Sequence, residues 1–366
     1  MKLGGIAVAI AIALTGCTTD GYYSPENFVR NSQRTVPSAS AAADALHPHE
    51  FEGELALRWL GEWTAAYRNP PFDQIAAGET AEVEIRRWPW ASVTKQVLAV
   101  AIMQQVELGK IAIDAPASDY LPALTNTDAT VRDLLQHRSN LANPDDTEAD
   151  ADGIPSFYTA DYDTLDYCLE NRNDRPADEA WSYNNCDYIV LGALLENVTG
   201  QTLSELLYDR IGRRADWQGT YLLSGNTEGA DAQQTRELQR IGRYGASAGL
   251  YGSLEDLINF DEQLLRGRLL SEDSRKILWD GDPALGYMAL GQWVFEAPLA
   301  GCAAPQHIVE RRGAIGKYQI RNIIMPDIGL MLVLATEKEG FDFGEIWTGE
   351  GATHDVLAAV VCETAT

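Results

Sequence analysis

The 366-residue sequence is poor in basic residues and in histidine. Its 28 lysines and arginines face 54 aspartates and glutamates, and the formal net charge is -26 at pH 7. Such a charge repels a phosphate backbone, which argues against nucleic acid as a partner. We interpret the acidity as a solubility feature of an exported protein. Steering of a cationic substrate is the alternative, although no segment localises such a site. The five histidines lack the spacing of zinc ligands, so the sequence predicts neither a metal site nor a cofactor.

The sequence also lacks an apolar run of the roughly 20 residues that a membrane-spanning helix needs. Its apolar stretch Leu3–Leu14 follows the positively charged Lys2 and leads into Thr15-Gly16-Cys17. This pattern is typical of a secretory signal peptide, and the cysteine resembles that of a bacterial lipobox. We therefore predict that residues 1–16 are removed and that Cys17 carries a lipid. An ordinary secretory signal with a chance cysteine is the alternative.

Residues 17–50 are rich in serine, threonine, asparagine and alanine, without a sustained apolar period. They predict a tether between the lipid anchor and a folded domain over residues 51–366. The anchor would hold the protein at a membrane on the periplasmic side of the bacterial cell envelope. An aspartate directly after the lipidated cysteine resembles an inner-membrane retention signal. This sequence has Thr18 at that position, so the outer membrane is favoured.

Cysteine is sparse, and its count fits export. Removing the lipidated Cys17 from the five leaves Cys168, Cys186, Cys302 and Cys362, which is an even set. Outside the cytoplasm such residues can pair, and four cysteines allow three connectivities. We favour Cys168–Cys186 and Cys302–Cys362, because each pair falls inside one predicted subdomain.

Apolar periodicity indicates an α+β protein. Helical spacing predicts helices over Ser92–Leu108, Val131–His137, Asp187–Thr199, Leu203–Ile211, Leu254–Leu265 and His354–Val361. Apolar runs predict strands over Ile320–Met325 and Gly329–Thr336. Alternation within Glu54–Arg68 favours a hairpin that turns near Gly61, with an amphipathic helix as the alternative. Strands at both ends with helices between them predict a central sheet and a helical subdomain inserted at about residues 115–240.

Ser92-Val93-Thr94-Lys95 is the starting point for chemistry. If Ser92 opens a helix, the serine and the lysine lie on one face, three residues apart. A serine hydroxyl needs a base to become a nucleophile, and a lysine can be that base if its pKa falls. Burial and the positive helix start both lower the pKa of a lysine. A single SxxK pattern is nevertheless close to chance in a chain of this length.

Further motifs accompany it in a fixed order. They are Trp90–Lys95, Gly109–Asp114, Tyr120–Pro122, Leu134–Leu141, Trp181–Asn185 and Ala248–Leu257. Together they resemble the serine β-lactamase and penicillin-binding-protein superfamily, in the branch of class C β-lactamases, D-alanyl-D-alanine carboxypeptidases and family VIII esterases. The resemblance covers roughly Glu54 to Val361. It implies a β-lactamase/transpeptidase-like fold, with an antiparallel sheet flanked by helices and an inserted all-helical subdomain.

The resemblance also implies roles for individual residues. Ser92 would attack the acyl carbonyl and Lys95 would take its proton. Tyr183 would pass protons to the leaving group and activate water, provided that the charge of Lys95 lowers its pKa from about 10. Asn185 would hold Lys95 and bind the substrate. The backbone N–H groups of Ser92 and Ala314 would bind the oxyanion.

The third motif departs from the family pattern. Arg311-Arg312-Gly313 stands where the family has Lys-Thr-Gly or a similar triplet on an edge strand. Gly313 keeps room for the substrate, whereas Arg311 keeps a positive charge without being a proton donor. The two arginines would either bind a substrate carboxylate or narrow the cleft. Asn140 replaces a family glycine, and asparagine also tolerates left-handed backbone angles.

We therefore expect a serine hydrolase that forms an acyl-enzyme on Ser92 and hydrolyses a small-molecule or peptide ester or amide. An esterase or peptidase-like enzyme is favoured over a class C-like β-lactamase because of Arg311 and Arg312. A non-catalytic lipoprotein that binds a cell-wall peptide or a protein partner is the alternative from another class. His137 is interpreted as structural, since the sequence identifies no acid partner for it.

Overall fold

The computed structural model describes residues 35–69, 86–149, 155–158, 164–173, 181–223 and 232–362. The strands are β1 (Gly53–Trp59), β2 (Ala65–Asn69), β3 (Trp88–Pro89), β4 (Tyr221–Leu222), β5 (Leu250–Gly252), β6 (Trp293–Ala297), β7 (Gln306–Ile315), β8 (Tyr318–Met325) and β9 (Leu330–Thr336). An antiparallel sheet has the strand order β2-β1-β9-β8-β7-β6, and β3, β5 and β4 form a smaller sheet. The hairpin and the two later strands expected from apolar patterns are confirmed.

Strand β9 shows why the sheet lies at the centre of the domain. All seven of its residues are buried, because both faces of the sheet are covered. One face carries Leu330, Leu332 and Leu334 into a smaller core, and the other carries Met331, Val333 and Ala335 into a larger one. Alternate residues of a strand point to opposite faces, so a strand between two cores has to be apolar throughout.

The helices cover both faces of this sheet. They are α1 (Thr35–Leu46), α2 (Thr94–Glu107), α3 (Val131–Leu135), α4 (Thr164–Glu170), α5 (Asn185–Thr199), α6 (Leu203–Leu207), α7 (Ala232–Arg243), α8 (Leu254–Leu265), α9 (Glu272–Leu278) and α10 (Ala352–Val361). In the described part of residues 115–240, β4 is a short exception to an otherwise helical segment. Helix α2 begins at Thr94, two residues later than expected, because Ser92 lies in a 3-10 turn over Ala91–Val93.

The predicted tether over residues 17–50 is wrong for its C-terminal part, because Thr35–Leu46 form α1. Its buried residues are Ala39, Ala42, Ala43 and Leu46. Their spacing of three and four residues makes one face of a helix, and this face packs against α10 and β2. The signal peptide and Cys17 lie outside the described residues.

Two disulfides tie the helices to their surroundings. Cys168 in α4 bonds Cys186 in α5, with Cα atoms 5.3 Å apart, and Cys302 bonds Cys362 at the end of α10, with Cα atoms 4.8 Å apart. This is the pairing favoured from the sequence. In the described part of the chain, no helix is both long and apolar enough to cross a bilayer.

Candidate active site

Ser92 lies in the 3-10 turn between β3 and α2, beside the edge strand β7. The turn is tight, since Ala91 has a φ of 44°, which is uncommon for a residue other than glycine. Gly313 of β7 packs directly against it, and a Cβ atom at this position would come within 2.5 Å of the Trp90 carbonyl oxygen. Glycine at position 313 therefore lets the strand approach the serine, while the expectation that it keeps room for a substrate stays a prediction.

Lys95 follows one helical turn after Ser92 and is fully buried. Its Nζ lies 2.6 Å from Asn185 Oδ1, 2.9 Å from the Ser247 carbonyl oxygen and 3.2 Å from Ser92 Oγ. Burial lowers the pKa of Lys95 well below its ordinary value, and the positive charge of Arg311 adds to this effect.

A neutral lysine fits these contacts atom by atom. The amine has two hydrogens and one lone pair, and the oxygens of Asn185 and Ser247 can only accept hydrogen bonds. Both hydrogens are therefore committed, and the lone pair is left for the hydroxyl hydrogen of Ser92. The arrangement can remove a proton from Ser92 Oγ.

Tyr183 approaches the same oxygen from another side. Its Oη lies 2.5 Å from Ser92 Oγ and accepts a hydrogen bond from Arg311 Nη2 at 3.1 Å. Loss of hydration raises the pKa of Tyr183, while Arg311 and the contact with Ser92 act in the opposite direction. The expectation that the charge of Lys95 lowers this pKa is therefore wrong. The raised pKa favours the protonated phenol, and either hydroxyl group can be the donor in the contact between Tyr183 and Ser92.

The structure places the two arginines of the third motif in different environments. Arg311 is fully buried and donates from Nε to the Ser92 carbonyl oxygen at 2.9 Å, as well as to Tyr183. Arg312 is half-buried and is held by Glu310 and Glu345 through its Nε and both Nη atoms. Of the two alternatives for these arginines, binding of a substrate carboxylate by both together is the less favoured, because Arg312 is held by two carboxylates while Arg311 lies against Ser92 and Tyr183.

A buried layer lies behind Tyr183. The ring of His137 packs on that of Tyr183 with centroids 4.6 Å apart, and its Nδ1 lies 3.3 Å from Asp187 Oδ2. Burial lowers the pKa of His137 and raises that of Asp187, so burial disfavours the charged form of each group. Asp187 is the acid partner that the sequence did not identify for His137. The sequence does not reveal this contact, because Asp187 lies 50 residues further along the chain.

The cavity beside Ser92 has a volume of about 560 Å³ and is also lined by Tyr183, Asn185 and Asp145. Asp145 accepts hydrogen bonds from Asn185 Nδ2 at 3.0 Å and from the Tyr244 hydroxyl. It belongs to none of the motifs, so only its place in the fold reveals it. Arg312, Gly313 and Ala314 line the facing wall.

The predicted site residues thus converge on Ser92. Lys95 and Tyr183 contact its hydroxyl group, Asn185 contacts Lys95, and Gly313 closes the strand against the turn. Strand β7 pairs with β6 only as far as Glu310, so within the described residues its outer edge beyond that point faces the nucleophile instead of another strand. Asn140 has a φ of 61°, as its place in a glycine position predicts. No group of three or more potential metal-ligating side chains occurs among the described residues.

The fold and this arrangement define a serine hydrolase of the β-lactamase/transpeptidase type. The chain belongs to the beta-lactamase family, whose model matches residues 84–352. It is 32% identical over 128 residues to penicillin-binding protein 4 of Amycolatopsis lactamdurans, which covers 33% of this chain and 32% of that protein. It is 25% identical over 195 residues to teichoic acid D-alanine hydrolase of Staphylococcus aureus, which covers 49% and 46%, respectively.

Among solved structures, D-amino acid amidase of Ochrobactrum anthropi SV3 in complex with D-phenylalanine superposes with a TM-score of 0.69. It shares 19% sequence identity over 88% of this chain and 98% of that one, which establishes the common fold. The matched regions of the two curated relatives span about a third to a half of those proteins.

Proposed function

We propose that the protein hydrolyses an ester or amide through a covalent acyl-enzyme on Ser92. The observation that carries this proposal is the position of Lys95, whose Nζ lies within hydrogen-bond distance of Ser92 Oγ and of the acceptor oxygens of Asn185 and Ser247. A buried neutral lysine in contact with a serine hydroxyl is an activated nucleophile pair. The D-amino acid amidase and the teichoic acid D-alanine hydrolase among the similar proteins agree with cleavage of acyl bonds of this kind.

Acylation follows from the contacts. Ser92 Oγ bonds to the substrate carbonyl carbon while its proton moves to Lys95 Nζ. The proton that Lys95 took from Ser92 then passes through the hydroxyl group of Tyr183 to the leaving group as the bond to this group breaks, which leaves Lys95 neutral. Arg311 keeps this hydroxyl in place. The backbone N–H groups of Ser92 and Ala314 are the proposed oxyanion donors, since both residues line the cavity.

Deacylation uses the same groups in reverse order. A water molecule gives a proton to Lys95 and attacks the ester carbonyl carbon, after which the bond to Ser92 Oγ breaks and Lys95 returns the proton to the serine. Asn185 holds Lys95 at 2.6 Å during both steps and keeps its second amide contact with Asp145. The base is therefore held in position throughout the cycle.

Intact mass after treatment with a fluorophosphonate probe tests the proposal. We expect one adduct on the unmodified protein and none on Ser92→Ala, because the probe reacts with an activated serine. Peptide mapping should locate the adduct on Ser92. An adduct of equal yield on Ser92→Ala, or none on either protein, contradicts the proposal.

The proposed place of action is the periplasmic side of the cell envelope, with a lipid anchor on Cys17 and the outer membrane favoured. The short apolar stretch that ends at this cysteine supports the anchor. Mass spectrometry of the mature N-terminal peptide should show a diacylglyceryl group on Cys17. An unmodified cysteine thiol in that peptide would remove the anchor from the proposal.

A further inference from the structure

The cavity beside Ser92 has an unneutralised anion on one wall. Asp145 has an exposed side chain that lines the cavity, so a ligand can reach it. Within the described residues its hydrogen-bond partners are the amide of Asn185 and the hydroxyl of Tyr244, and both are neutral. A carboxylate has about four acceptor positions, so Asp145 retains acceptor capacity towards the cavity.

The cations around the same cavity are already committed. Arg312 bonds both carboxylates of Glu310 and Glu345, and Arg321 donates to Glu310 at 3.3 Å. Lys95 is fully buried and does not line the cavity, and its burial lowers its pKa and favours the neutral amine. Among the described residues lining this cavity, none therefore offers a free cation to a substrate carboxylate, whereas Asp145 offers an anion to a substrate cation.

The position of Asp145 beside the proposed base is a second reason, besides its charge, to expect that it contacts the substrate. Asn185 bridges Lys95 and Asp145, because its Oδ1 contacts the amine and its Nδ2 contacts the carboxylate. Asp145 is thus one amide group away from the proposed base. A cation that pairs with Asp145 lies in the same cavity as the nucleophile Ser92. The chain's net charge of -26 favours the approach of a cation as well.

We propose that Asp145 selects substrates whose acyl group carries a protonated amine close to the scissile carbonyl, as in an amino acid ester or amide. The inference rests on the proposed function for the cleaved bond, and on the contacts of Asp145 for the selection. A site with this preference binds a substrate poorly when that substrate carries a carboxylate in place of the amine.

Binding to Ser92→Ala protein tests the selection without requiring turnover. Alaninamide and lactamide are the probes, because they differ only by an ammonium group in place of a hydroxyl group. Calorimetry at pH 6.5 keeps the amine protonated. A hydrogen bond to a charged group contributes roughly 1.5–3 kcal/mol, so we expect alaninamide to bind roughly 10- to 100-fold more tightly than lactamide.

Three further variants in the Ser92→Ala background locate the effect. Asp145→Asn and Asp145→Ser should bring the affinity ratio close to one, and the second covers the case in which the first fails to fold. Asp146→Asn removes the same charge from the neighbouring exposed residue and should keep the ratio. A ratio near one before any change at Asp145, or a ratio that survives both changes at Asp145, overturns the inference. Absence of a fluorophosphonate adduct would instead defeat the proposed function and leave the binding comparison valid.

Discussion

The two sides of the proposed active site differ in whether a carboxylate neutralises the arginine that lies there. On the inner side, Arg311 is buried against Tyr183 and the Ser92 carbonyl group, and no described carboxylate pairs with it. On the outer side, the neighbouring Arg312 is paired with Glu310 and Glu345. Successive residues of β7 point to opposite faces, so two adjacent arginines reach two separate environments.

Because of this difference, we expect Arg311 to influence catalysis and Arg312 to influence the stability of the fold. The charge of Arg311 is not compensated by a nearby anion, so it adds to the lowering of the pKa of Lys95 and opposes the rise in the pKa of Tyr183. The charge of Arg312 is compensated, and little field remains to act on the nucleophile. We therefore expect changes on the inner side to alter rates and pH profiles, and changes on the outer side to alter the free energy of unfolding.

Replacement of the base should have the largest effect. Lys95→Arg keeps a positive charge, but a guanidinium group cannot lose a proton at accessible pH. We expect hydrolysis to fall by roughly 100- to 10,000-fold, which is the usual contribution of a general base. Initial rates with a chromogenic ester across pH 6–9 measure the loss.

Lys95→Met is the matched control for this change, because it keeps the length of the side chain without either a charge or a base. Both variants should lose activity while circular dichroism shows an unaltered fold. Activity in Lys95→Arg within a few-fold of the unmodified protein would show that Lys95 is not the base.

Replacement of Arg312 on the outer side should lower the free energy of unfolding instead. Arg312→Met leaves the carboxylate of Glu310, whose side chain is 1% exposed, with Arg321 as its remaining ion-pair partner. Breaking a buried pair from one side is strongly destabilising, and we expect a loss of about 3 kcal/mol in the free energy of unfolding. Urea unfolding followed by tryptophan fluorescence measures it.

A double variant checks the cause of that loss. Glu310→Gln with Arg312→Met removes both charges, so much of the lost stability should return. If the double variant is as unstable as the sum of the two single changes, the ion pair is not the reason for the loss.

Local patterns made much of the fold predictable. Glu54–Arg68 alternates and forms a hairpin, and Leu254–Leu265 has helical spacing and forms α8 with the same bounds. Helix α1 was missed because its composition is that of a linker. Its buried alanines nevertheless have helical spacing, and they become a helix face only because α10 and the sheet cover them.

The site was predictable where order along the chain carries information. Ser92, Lys95, Tyr183 and Asn185 belong to motifs, and the structure brings them together. Asp145 has no motif of its own, because its position next to Asn185 is a product of tertiary folding. The separate environments of the two arginines were likewise invisible in the sequence, since pairing depends on which carboxylates the sheet places nearby.

The smallest expected effect gives the sharpest contrast between the two sides. Arg311→Met removes the hydrogen bonds to Tyr183 and to the Ser92 carbonyl oxygen, and we expect kcat/KM to fall roughly 10- to 100-fold. Burial is the main cause of the low pKa of Lys95, and the charge of Arg311 is the next. Without that charge the pKa of Lys95 rises, so the limb of the pH profile on which activity increases with pH should move to higher pH.

Two neighbouring variants decide whether charge is the reason for that shift. Arg311→Lys keeps a positive charge, so the limb should stay near its original position even if kcat/KM falls because one contact is lost. Arg312→Met removes a charge one residue away whose field is already cancelled by Glu310 and Glu345, so its limb should not move. Equal shifts of the limb in Arg311→Met and Arg312→Met would show that the two arginines act alike on the pKa of Lys95. In that case the pairing of Arg312 with Glu310 and Glu345 does not cancel its charge, and the distinction between the inner and the outer side fails.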